Sequence, residues 1–79
     1  MNIDRVNELQ NAVAQQAADL KWYRIPQLQV PLVEYVVPSG EDAENALADM
    51  RRRICLNPNF QAKLVVKGAQ IRVRVEYRT

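Results

Sequence analysis

The sequence predicts an α+β two-layer sandwich, with helices on one face of a small mixed sheet that ends in a β-hairpin. Two stretches place apolar residues at helical spacing, and the segment 60–78 alternates about a glycine turn. Seventy-nine residues, 48% hydrophobic and 25% charged, suit one soluble globular domain spanning 1–79. The element order read along the chain is α-β-α-β-β.

The first helix is expected over residues 1–22. Residues 3–21 contain neither proline nor glycine, and Val6, Leu9, Val13, Ala17 and Leu20 fall on one stripe. Asn2 or Asp4 caps its start, and Asp4 and Glu8 suit the positive end of the dipole. Val6, Val13 and Leu20 also recur at heptad spacing, with Leu9, Gln16 and Tyr23 on the companion positions. This echo of a coiled coil has a polar Gln16 in its seam, and packing on the chain's own sheet explains the same residues.

Pro26 ends any helical continuation, and residues 25–37 read as extended. Leu28, Val30 and Leu32 alternate with Gln27 and Gln29, and Val33, Tyr35 and Val37 share one face. Pro31 implies either a bulge between two short strands or an edge strand. The second helix is expected over 40–56. Ser39 with Asp42 three residues on resembles a capping box, and Ala43, Ala46, Leu47, Met50 and Ile54 form the buried stripe. Arg51, Arg52 and Arg53 match the negative end of its dipole, and Asn57-Pro58 stops it.

The hairpin over 60–78 turns at Gly68-Ala69, a pair suited to a type II′ turn. That turn sets Val66 opposite Ile71, Leu64 opposite Val73, Ala62 opposite Val75 and Phe60 opposite Tyr77. Every pair is apolar, so register and alternation agree. A strand, a helix and a second strand in one sheet imply a parallel crossover, hence the mixed sheet.

Composition excludes most enzyme chemistry. Histidine is absent; Ser39, Thr79 and Cys55 are the only serine, threonine and cysteine; and glycine occurs only at Gly40 and Gly68. No Ser-His-Asp or Cys-His site, histidine- or cysteine-based zinc site or glycine-rich phosphate loop can be assembled within one chain. No cofactor, metal or catalytic residue is therefore assigned. Any enzyme activity would need a site shared between subunits or a mechanism built on carboxylates and tyrosines. Cys55 adjoins Ile54 and Leu56 and reads as packing. Glu34 lies mid-strand among apolar residues, where burial is expected to raise its pKa. The acidic start Met1-Asn2-Ile3-Asp4 and the lack of a long apolar run point to an intracellular, cytoplasmic protein without a membrane partner. The profile is similar to that of small viral or mobile-element accessory proteins.

Charge is divided unevenly. Residues 1–50 hold three bases and eight acids, while residues 51–79 hold eight bases and Glu76 as the one acid. Such asymmetry suggests a basic binding surface or head-to-tail association, unless the two halves neutralise each other within one domain. The outer hairpin face gathers Lys63, Lys67, Arg72, Arg74 and Arg78, with Lys63 opposite Arg74. Like charges placed across a sheet ask for an anionic neighbour, although basic edges also guard against strand aggregation. Arg51 and Arg52 form a second basic group, and Trp22 and Tyr23 supply aromatic anchors or roof the core. These nine residues are the candidate partner-binding set. They indicate a non-enzymatic protein–protein interaction module, a subunit of a homo-oligomer or a larger assembly. The alternative is a nucleic-acid-binding domain using the same face, which requires the arginine run and the hairpin to be contiguous.

Overall fold

The predicted stripe of the first helix turns inward. In the computed structural model, which describes residues 3–27, 30–54 and 57–78, helix α1 spans Ile3–Gln16 and buries Val6, Leu9 and Val13. Ala17 is buried with them, so the heptad echo serves the chain's own core. The helix stops short of residue 22. Ala17 N–H closes the last turn on Val13 O at 2.8 Å, and Leu20 N–H returns to Ala17 O at 3.1 Å. The chain must extend soon after this, because Tyr23 O accepts the Val36 N–H at 2.8 Å.

The run expected over 25–37 folds back on itself. Strand β1, Arg24–Ile25, pairs antiparallel with β2, Leu32–Val36, setting Arg24 opposite Tyr35 and Ile25 opposite Glu34. Pro31 precedes β2, where its missing N–H costs the ladder nothing. The edge is therefore the two-residue β1, and β2 is an interior strand. Leu28 and Gln29 lie outside the described residues.

Helix α2 spans Ala43–Ile54 and buries Ala46, Leu47, Met50 and Ile54. It begins later than expected because residues 38–41 close a turn first: Glu41 N–H bonds to Pro38 O at 3.0 Å, and Gly40 takes φ +87°. A type II turn requires positive φ at its third residue, which glycine adopts without a Cβ penalty. Asp42 O then accepts the Ala46 N–H at 2.9 Å, so Asp42, not Ser39, occupies the N-cap position. Cys55 and Leu56, and with them the packing role expected of Cys55, fall outside the described residues.

Strands β3, Phe60–Lys67, and β4, Gln70–Tyr77, form the hairpin in the predicted register, from Phe60 opposite Tyr77 to Lys67 opposite Gln70. Gly68 supplies the turn with φ +61°. The sheet order is β1-β2-β4-β3, and all three pairings are antiparallel. The expected mixed sheet is thus corrected, and the order becomes α-β-β-α-β-β. β2 and β3 are both antiparallel to β4, so they run in the same direction, as the crossover through α2 requires. β4 inserts between them and removes the parallel ladder. Its inward Val73 and Val75 are fully buried, which suits the centre of the sheet.

One face of the sheet carries Val33, Tyr35, Phe60, Ala62, Val73 and Val75, which meet both helices in a single core. Edge-on aromatic pairs, Trp22 with Tyr35 and Phe60 with Tyr77, close its margins. No helix of the described residues is long and apolar enough to cross a membrane.

Candidate interaction surface of the hairpin

Strand alternation puts Glu34 of β2, Arg72, Arg74 and Glu76 of β4, and Lys63 and Lys67 of β3 on the face away from the helices. Lys63 faces Arg74 as the sequence predicts. The anion that relieves this repulsion comes from the chain itself. Lys63 Nζ lies 3.3 Å from Glu76 Oε1, while Arg74 Nη2 lies 2.8 Å and Arg72 Nη1 3.1 Å from the two oxygens of Glu34.

Glu34 is the organising group. It is 2% exposed although no helix covers it, because two guanidinium side chains and Gln27 close over it. Burial pushes its carboxyl up, but hydrogen bonds and charge from Arg74 and Arg72 outweigh burial and hold it below the ordinary glutamate range. The expected upward shift is overturned. Its cause is strand pairing: Glu34 sits directly opposite Arg74 across the β2–β4 ladder. Sequence reasoning left Glu34 out of the site because β2 carries no signal naming its partner strand.

Four bases on this face share two carboxylates, which leaves an excess of positive charge toward the hairpin tip. Lys67 makes no ion pair among the described residues, and Arg72 also donates to Gln70 Oε1 at 2.8 Å. On the opposite face of the same tip, beyond the reach of the helices, Val66 is 70% and Ile71 41% exposed.

The remaining predicted residues do not join this surface. Arg78 donates to Pro58 O at 3.1 Å and Phe60 O at 3.2 Å, clasping the start of β3 instead of forming a rim to the basic face. Arg51 reaches Ala62 O at 3.4 Å. Arg52 pairs with Asp49 at 3.3 Å, and Arg53 pairs with Asp49 and Asp19. Asp19 is held below the ordinary aspartate range chiefly by its hydrogen bond from Arg53. The arginine run thus belongs to the helical layer, apart from the hairpin's outer face. Trp22 packs on Tyr35 at the core margin, whereas Tyr23 is 63% exposed.

Among the described residues, no three His, Cys, Asp or Glu side chains come together to hold a metal ion. No family model matches the chain, and comparison with curated proteins and with solved structures finds no significant similarity.

Proposed function

We propose that this chain is a non-enzymatic protein-interaction module that docks an acidic partner through the tip and outer face of its hairpin. The observation that carries this reading is the meeting, on one short tip, of uncovered apolar Val66 and Ile71 on one face with Lys67, which makes no ion pair among the described residues, on the other. An apolar patch rimmed by polar and charged groups is the usual anatomy of a protein interface. Lys63 and Val65 extend the surface along β3.

Nucleic-acid binding is the weaker reading. Phosphate contacts draw on cations that release counterions on binding. Here Arg72 and Arg74 are already bound to Glu34, Lys63 to Glu76, and Arg53 to Asp19. The separation of the arginine run from the outer face also removes the contiguous footprint that nucleic acid requires.

Fluorescence anisotropy with poly-L-glutamate and with a short DNA duplex, each across a salt series, tests the choice. The expected result is binding of poly-L-glutamate that the Lys63→Glu, Lys67→Glu double variant loses, and DNA binding with a shallow salt slope, at most about two phosphate contacts' worth. A steep DNA slope with no response to poly-L-glutamate would reverse the assignment.

A further inference from the structure

The two edges of the sheet differ in kind. β1 is two residues long and runs into Pro26, both of which discourage strand pairing. β3 is eight residues long, free of proline, and has β4 on one side only. Its two-residue turn makes Lys67 and Gln70 the hydrogen-bonded closing pair. The N–H and C=O groups of Phe60, Ala62, Leu64 and Val66 therefore point to the free edge. The first two carbonyls are taken by this chain's own arginines, Phe60 O by Arg78 and Ala62 O by Arg51. Among the described residues, nothing covers the backbone of Leu64 and Val66 in this way.

We infer that this open stretch of β3 binds an extended segment of a partner protein as an added strand, one that alternates apolar with acidic residues. The inference rests on the interaction-module reading above and adds how the partner is held. An added strand gains affinity from main-chain hydrogen bonds and specificity from alternate side chains. On the helix side its residues would lie beside Ala62, Leu64 and the exposed Val66, which favours apolar side chains. On the outer side they would lie beside Lys63 and Lys67, which favours carboxylates. β3 carries no acid of its own. Where the strand reaches the start of β3, a cleft of about 360 Å³ between Arg51 and Arg78, floored by Ile54 and Phe60, adds two more cations.

A second copy of the chain fits less well. Pairing β3 with itself about Val65 sets Lys63 of each copy opposite Lys67 of the other. Centring the pair on Leu64 brings Val66 against Ala62, whose carbonyl Arg51 already holds.

The test uses the full chain, isotope-labelled for NMR, and two short capped peptides of equal composition titrated at low salt. One alternates valine with glutamate; the other holds valines and glutamates in separate blocks. The alternating peptide should shift the Ala62, Leu64 and Val66 amides and slow hydrogen exchange at Leu64 and Val66. The block peptide should bind at least about tenfold more weakly. Val66→Pro removes an N–H that faces the edge and no ladder bond, so it should weaken the alternating peptide by at least about tenfold. Should that variant fail to fold, the Lys63→Glu, Lys67→Glu pair should produce the same loss. Shifts confined to the outer-face side chains, with Leu64 and Val66 exchange unchanged, would overturn strand addition and leave the docking face standing. No response to either peptide would overturn both. Concentration-dependent dimerisation abolished by Val66→Pro would make a second copy the occupant and contradict the inference.

Discussion

Glu34 stays charged at 2% exposure because Arg72 and Arg74 supply the hydrogen bonds that water would otherwise provide. Reversing Arg74 leaves this carboxylate with one partner and a like charge opposite. The arginines are themselves about a fifth exposed, so solvent screens the pair, and the cost falls below that of a fully buried one. Arg74→Glu is expected to lower unfolding free energy by about 2 kcal/mol in urea titration. Arg74 points away from the core, which from sequence suggests a harmless substitution; its cross-strand partner makes it otherwise. Acid should act on the same group. A carboxyl whose folded pKa is depressed contributes stability above its unfolded pKa and loses it as pH falls through the folded value. Stability should therefore decline below the ordinary glutamate range, and Glu34→Gln should flatten that part of the stability–pH curve. The position of Glu34 in a strand was legible; the two arginines over it were not, because they lie about forty positions away along the chain.

The hairpin was legible almost in full. Turn chemistry and period-two alternation are local, and eight consecutive pairs from Phe60–Tyr77 to Lys67–Gln70 follow from one glycine. Gly68 has φ +61° and open space where a Cβ would stand, so Gly68→Ala tests conformation alone. It should cost about 1 kcal/mol, read from the shift in thermal or urea midpoint. The α2 stripe was equally plain, but its first turn was not. A type II turn at Gly40 uses Ser39 before the helix begins and hands the cap position to Asp42. β1 and the end of α1 were misread for a different reason. Both boundaries are set by the β1–β2 pairing, a tertiary contact that overrides helical propensity through residues 17–22. The insertion of β4 between β2 and β3 likewise has no local signature.

Across the whole molecule, the acidic first half and basic second half meet each other. Asp19 with Arg53, and Glu34 with Arg72 and Arg74, join the two across the fold. The charge asymmetry is thus partly spent inside the domain, and the hairpin tip and the Arg51–Arg78 end of β3 keep an excess among the described residues. Head-to-tail association driven by opposite halves is accordingly not expected; light scattering at tens of micromolar should give a monomer mass that salt does not change. The nine residues selected from sequence divide on the same principle. Lys63, Lys67, Arg72 and Arg74 share a face; Arg51 and Arg78 line the free edge of β3; Arg52 and Trp22 serve the helical layer and the core margin; Tyr23 stands exposed and joins none of them. That the hairpin docks the partner, and Arg52 and Arg53 at the end of α2 do not, is read most directly by mapping amide shifts as poly-L-glutamate is added at low salt. The expected changes concentrate at Lys63 to Arg74, with little movement at Arg52 and Arg53, which pair with Asp49 and Asp19. Changes centred on Arg52 and Arg53, with the hairpin tip unmoved, would contradict docking through the hairpin.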